Sequence, residues 1–407
     1  MAALPLYVHL PAFYGNDLGM PLATLGALLF VLRLADGIVD PLLGAWCDRL
    51  PSRKLPIAIA TPVLAVGMVA LFAPPLRDPT ALVVWLGVAL ALVYAAFSLA
   101  TIAHGAWGAE LSPDPVERTR TTATREMLAL VGVVIASLAP SVLGDSEATG
   151  LQRFSWLFAL TVAGCALVSL ALAPPAPTPR LATRTGGRAM VAGLLAPLRD
   201  GAFRRLLAAF VANGIAAAIP ATLVLFFVAD VLRAQAQQGV FLALYFVAAA
   251  AGLPLWVRLS ARVGKVRAWY AAMTLAVAAF VWAATLGAGD TTAFAVICIV
   301  SGAALGADLA LAPSILADII GRSGRMHATG AYFGLWTLAT KMNLAVAAGI
   351  GLTLTAAFGY APGTQDPAAL RALAWVYAGV PCLFKLAALV ALARFDRDPA
   401  TRAAGRA

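Results

Sequence analysis

Charge is scarce in this chain. Only 12% of its 407 residues are Asp, Glu, Lys or Arg, against 62% hydrophobic, which is about half the charged share of an ordinary soluble domain. A water-soluble globular fold is excluded. Cysteine is equally thin: Cys47, Cys165, Cys298 and Cys382 lie far apart, with no C-x-x-C pair and no metal-ligand spacing, so they read as small apolar residues. With 3 histidines and no loop cluster of His, Asp and Glu, an integral-membrane enzyme lacks the groups it would need. Acidic residues number 19 against 29 basic ones, a net charge of +10. The basic residues sit in short clusters without interleaved aromatics, which argues against a nucleic-acid partner and for loops sorted by membrane topology. No basic n-region with a small-residue cleavage site opens the chain, so its first apolar stretch is expected to remain in the mature protein.

What the sequence has in abundance is long apolar runs of the length that crosses about 30 Å of hydrocarbon. Twelve candidate segments fall near 3–14, 22–47, 55–73, 80–105, 125–143, 154–173, 206–229, 238–257, 267–287, 292–317, 328–355 and 370–393. Breakers separate them, among them Pro74-Pro75, Pro113-Asp114-Pro115 and Pro362-Gly363. The expected organisation is an all-α bundle of two six-helix halves, 1–173 and 206–393, joined by a Pro- and Arg-rich linker, 174–205, and followed by a tail, 394–407. Placing the termini inside puts 21 lysines and arginines in inner loops and 4 outside (Arg77, Arg153, Arg233 and Arg371), which predicts both termini cytoplasmic. A weak repeat supports the two halves: Gly44-Ala-Trp-Cys-Asp48-Arg49 with Arg53-Lys54 follows the second segment, and Arg262-Val-Gly-Lys265-Val-Arg267 follows the eighth. The first segment is the exception. Met1 to Tyr14 makes a helix of only about 21 Å, so the chain is expected to start within a truncated first helix.

A charge in the middle of a spanning helix costs about 2.5 to 3.5 kcal/mol on insertion scales and points to function. Segment two carries Arg33, Asp36 and Asp40, segment ten Asp308, segment eleven Lys341, segment twelve Lys385, and Arg125 opens segment five. Asp36 and Asp40 are one helical turn apart on one face, where two carboxylates can hold a cation or share a proton; the alternative is that Arg33 neutralises Asp36 and the group is structural. Ser98, Thr101 and His104 share a stripe of segment four and either face a solute or bond back to their own helix. Lys341 needs a carboxylate or a polar substrate, and the candidate partners are the carboxylates of segment two or Asp308 of the neighbouring segment.

These residues resemble a known family. Arg33-Leu-Ala-Asp36-Gly-Ile-Val-Asp40-Pro41-Leu-Leu-Gly44 resembles the R-x-x-D-x-x-x-D-P-x-x-G signature of the glycoside-pentoside-hexuronide:cation symporters, the melibiose-permease branch of the major facilitator superfamily. Further matches follow in order: Gly105-Ala-Trp107-Gly-Ala-Glu110, Glu117-Arg118-Thr-Arg120, Arg125-Glu126, Gly306-Ala-Asp308 through Asp318, and Gly330-Ala-Tyr332-Phe-Gly334-Leu-Trp336 to Lys341. The resemblance implies that Asp36 and Asp40 bind the coupling H⁺ or Na⁺, with Ser98 and Lys341 at the ion site. It implies a solute site drawing on Thr101, Arg125, Trp107, Asp308 and Trp336. Val39 stands where the melibiose permease has an asparagine, which removes an oxygen ligand and favours H⁺. Thr101 stands where that family has a sugar-binding carboxylate.

The expectation is therefore a secondary transporter, not an enzyme. It would work as a monomer in the lipid bilayer of a bacterial cytoplasmic membrane, with no cofactor beyond its coupling ion, moving a sugar-like solute by cation-coupled symport and alternating access. The rival on the same scaffold is a carrier of lysolipid or another amphiphile; a non-transporting scaffold would have no reason to hold Asp36, Asp40 and Lys341 in hydrocarbon.

Overall fold

In the computed structural model, residues 6, 9–76, 78–174 and 196–397 are described. Most of the expected linker, Arg77 and the last ten residues of the tail lie outside the described residues, as does much of the segment expected at 3–14. Among the described residues the secondary structure is helical throughout, with no strand. After a short α1 (Leu10–Ala12) that continues as a π turn (Phe13–Asp17) come α2 (Leu22–Cys47), α3 (Lys54–Phe72), α4 (Pro79–Glu110), α5 (Pro115–Leu143) and α6 (Glu147–Leu172). The second set is α7 (Gly201–Phe226, with a π turn at Phe227–Val231), α8 (Gln238–Val263), α9 (Lys265–Ala283), α10 (Thr291–Arg322) and α11 (Thr329–Ala357). It ends with α12, which runs Pro367–Ala374, a π turn Trp375–Gly379 and Val380–Arg397. Nine helices among the described residues are long and apolar enough to cross a membrane. The more charged α2 and α5, of 26 and 29 residues, reach about 39 and 43 Å at 1.5 Å per residue.

The helices begin where side chains satisfy their first N–H groups. Asp78 accepts from Ala81, Ser146 from Thr149, Asp200 from Ala202 and Phe203, and Asp366 from Ala368 and Ala369; Pro79 and Pro367 sit where no N–H is needed. Between α8 and α9 the only residue is Gly264, at φ +89°, a conformation open to glycine that sets Lys265 at the first position of α9. Several helices outrun their expected limits. α5 starts at Pro115 instead of 125, α4 continues to Glu110 and α10 to Arg322, because their ends carry charged residues that a hydropathy window discards but an aqueous helix end accepts.

The chain forms two compact units. One comprises Met1–Leu111, Leu128–Pro197 and Gly324–Leu338. Its core packs α2, α3, α4 and α6 around Leu64, Met68, Leu86, Val93 and Phe154, and the Tyr14 hydroxyl donates to the Leu71 carbonyl at 3.0 Å. The other comprises Ser112–Met127, Leu198–Ser323 and Ala339–Ala407. In its core, between α7 and α12, Phe227 and Tyr377, one from each π turn, stack at 4.2 Å and 11°.

Candidate functional site

Asp36 and Asp40 lie on α2 at 9% and 0% exposure, and Ser98 of α4 is equally buried. The Ser98 hydroxyl donates to Asp36 Oδ1 at 2.9 Å, so the structure brings together two residues expected at the ion site, with Asp40 buried one helical turn further along α2. The other members of that α4 stripe bond along their own helix. Thr101 is exposed and its hydroxyl donates to the Phe97 carbonyl at 2.8 Å, and His104 Nδ1 lies 3.2 Å from the Ala100 carbonyl, the back-bonding that short polar side chains make in apolar helices. Arg33 is half-buried on α2 and Lys341 half-buried on α11. Arg125 pairs with its neighbour Glu126 at 2.6 Å.

Further along α2, the backbone of α11 comes very close. A Cβ on Gly44 would sit 2.2 Å from the Gly330 carbonyl oxygen, one on Gly330 2.4 Å from the Gly44 oxygen, and one on Gly334 2.8 Å from the Asp40 oxygen. Glycines four residues apart thus lay α11 directly on the turn that carries Asp40, as small residues do between membrane helices. One turn on, Asp48 accepts from the N–H groups of Gly330 and Ala331 at 2.7 and 2.8 Å, an anion at a helix N-terminus. Arg53, 1% exposed, ties Asp48 to Glu110 at the end of α4, at 2.7 and 2.6 Å. Burial raises the Asp48 carboxyl above the usual carboxylate range, against the opposing pull of Arg53 and the two N–H groups.

The two tryptophans expected to meet solute lie on α4 and α11. Trp107 packs with Cys47, Ile57 and Ala103, donates to the Pro174 carbonyl at 3.2 Å and lies 5.9 Å from the Lys54 ammonium. Its indole is committed to closing the end of α4, nine residues beyond Ser98. Trp336 is buried on α11, two residues past Gly334.

The second unit repeats this scheme with other residues. Lys265, at the α8–α9 junction, pairs with Asp318 near the end of α10. Arg118 near the start of α5 reaches the other Asp318 oxygen at 3.2 Å, close to Gly321, where a Cβ would meet the guanidinium at 2.9 Å. Deeper in α10, Asp308 accepts from Trp269 Nε1 at 2.7 Å and from Lys385 Nζ at 3.1 Å, and the same ammonium donates to Asn213 at 2.6 Å. The expected Asp308–Lys341 pairing is thereby corrected: the ammonium beside Asp308 is Lys385 of α12. This pair lines a cavity of ≈ 160 Å³ inside the unit together with Phe241, Tyr245, Phe246, Phe280 and Tyr377. Among the described residues, no three His, Cys, Asp or Glu gather as a metal site.

These geometries can be set beside known proteins. A family model described as MFS/sugar transport protein matches residues 1–398. The inner membrane symporter YicJ of Escherichia coli strain K12 is 25% identical over 154 residues, spanning 36% of this chain and 34% of the relative, about a third of its length. Among solved structures, a single-residue variant of the E. coli fucose:proton symporter FucP aligns with a TM-score of 0.69 at 14% identity over 97% of both chains. The proton:xylose symporter XylE bound to 6-bromo-6-deoxy-D-glucose aligns at 0.68 and 14% identity, over 95% of this chain and 90% of that one. A bacterial homologue of the iron transporter ferroportin, in an outward-facing state, reaches 0.71 at 15% over 93% and 91%. At these identities the structures show the fold alone.

Proposed function

Because the chain belongs to the MFS/sugar transport protein family, a family of multi-pass membrane transporters and not of enzymes, we propose that it is a secondary symporter coupling H⁺ entry to movement of a sugar or glycoside. The observation that carries this reading is the buried group Asp36, Asp40 and Ser98. Two carboxylates on one face of a spanning helix require a cation to offset their desolvation, and α11 packs by glycine contact on the turn of Asp40. Cation occupancy can therefore bias whether that seam closes, which is what alternating access needs. H⁺ is preferred over Na⁺ because the group offers two carboxylates and one hydroxyl while Val39 brings no oxygen, and a proton needs a single carboxylate. Two of the fold relatives are named as proton symporters of sugars. In this reading the chain comprises two six-helix halves with both termini cytoplasmic and works as a monomer.

A second reading, transport of a lysolipid or other amphiphile, is favoured by one observation: the cavity that includes Asp308 and Lys385 is lined mainly by aromatic and aliphatic side chains, a poor match for a ring of hydroxyls. Proteoliposomes holding the purified chain, with pH and Na⁺ gradients imposed separately, test both. Uptake of a radiolabelled sugar driven by the pH gradient alone supports symport; uptake of lysolipid and of no sugar supports the second reading. Sugar uptake driven by Na⁺ at constant pH and membrane potential overturns H⁺ coupling.

A further inference from the structure

Beside the start of α5, within the second unit, lies a cleft of ≈ 390 Å³ formed by α5 and α8. Three arginines line it: Arg120 on α5, one turn after Val116, and Arg258 and Arg262, one turn apart, on α8. All three are exposed, and none of the described residues lining the cleft is acidic. The nearest acids are engaged elsewhere: Glu117 accepts from Ser112 at 2.5 Å, Glu126 pairs with Arg125, and Asp318 with Lys265 and Arg118.

The lining changes character in the same direction on both helices. On α5 the lining runs from Val116 and Arg120 to Ala123, Thr124 and then Met127, which is 38% exposed; on α8 it runs from Arg262, Ala261 and Arg258 back to Val257, Pro254 and the buried Leu253. At 1.5 Å per residue the cationic stretch gives way to an apolar one over about 10 Å on α5 and about 13 Å on α8. That is the anatomy of a phospholipid, with phosphate first and hydrocarbon next. Guanidinium is the cation best shaped to grip phosphate oxygens in pairs, and basic pockets between membrane helices are a recognised form of anionic-lipid site. The cleft is too small for a whole lipid, so the chains would leave past the exposed Met127.

We propose that the α5–α8 cleft seats the headgroup of an anionic phospholipid of the phosphatidylglycerol type, with Arg120, Arg258 and Arg262 on its phosphate. Arg118, two residues before Arg120, already holds the start of α5 to Asp318 of α10; a lipid bridging α5 and α8 fastens the same end of α5 a second time. The site does not depend on which solute is carried.

The test is native mass spectrometry of the purified full chain titrated with phosphatidylglycerol or phosphatidylcholine. The wild type should retain phosphatidylglycerol with roughly tenfold preference or more, and R120Q/R258Q/R262Q should lose that preference. Ala261→Trp, which crowds the exposed cleft wall and keeps every charge, should lose it too. The unfolding temperature in phosphatidylcholine nanodiscs checks that the variants are folded, and R120K/R258K/R262K, with charge retained, should restore part of the preference. Undiminished phosphatidylglycerol preference in both the glutamine and tryptophan variants overturns the proposal. So does displacement of the lipid by millimolar inorganic phosphate, which would make the cleft a site for the free ion. Loss of sugar transport with lipid preference intact would count against the transport reading and leave this one standing.

Discussion

Replacing Gly44 by alanine tests the seam between α2 and α11 most directly. The new Cβ would fall 2.2 Å from the Gly330 carbonyl oxygen and near Cα of Gly334, whereas a carbon and a carbonyl oxygen rest at about 3.3 to 3.6 Å. The obstacle is backbone on a helix whose start is fixed by Asp48, so the helices must part by about 1 Å or one of them must bend. Overpacking of this kind costs about 1 to 3 kcal/mol, which at 1.4 kcal/mol per factor of ten raises the population of the parted seam roughly 5- to 150-fold. A thiol can report it. Ala331 is 3% exposed against α2, so Ala331→Cys should alkylate slowly, with exposed Cys165 as an internal reference. Adding Gly44→Ala should speed alkylation at position 331 by the stated factor and leave Cys165 unchanged. A rate within twofold of the Gly44 parent would refute the claim that glycine contact holds these helices together.

Asp40→Asn should insert and fold normally yet abolish gradient-driven accumulation in proteoliposomes, and Asp36→Asn should do the same; concentrative uptake by either would remove the carboxylates from the coupling site. Ser98→Ala deletes a hydrogen bond to a carboxylate, worth about 1.5 kcal/mol. Titrating uptake against pH and against Na⁺ in this variant separates the two ions, because only the titration of the coupling ion should move. Lys385→Met strands Asp308 beside Trp269, which should destabilise by about 3 to 5 kcal/mol and lower the thermal unfolding midpoint in detergent. The double variant with Asp308→Asn should recover most of the loss, and no recovery would mean that the pair is not what Lys385 stabilises.

Most helices were legible because apolar length is read directly from composition, and the Asp36–Asp40 face because a four-residue interval fixes a helical face. The helix ends were not: Arg118 and Glu110 lie on helical turns outside the apolar window, and the ion pairs that secure them join residues 57 and 200 positions apart. Glu110 and Arg53 were both visible in quoted motifs, but nothing in one sequence joins them. Lys385 was noticed as a buried cation, and pairing Asp308 with Lys341 instead followed adjacency of segments 10 and 11. Which cation reaches Asp308 depends on rotation about the axis of α12, and that rotation is set by an irregular turn without a signature in the residue pattern.

The π turn at Trp375–Gly379 has a consequence for phase. Such a turn holds one residue more than an α-helix needs, and each residue advances a helix by about 100° and 1.5 Å. Lys385 lies beyond the turn, while its partners Asp308 and Asn213 sit on α10 and α7, whose winding does not pass through it. Were α12 to lose a single residue there and wind regularly, every later side chain would swing through more than a quarter of a revolution and retreat toward the helix start, taking the ammonium out of reach of both acceptors. The surplus residue is an angular spacer: it lets a helix enter at one orientation, fixed by the Asp366 cap, and leave at another, fixed by a buried charge.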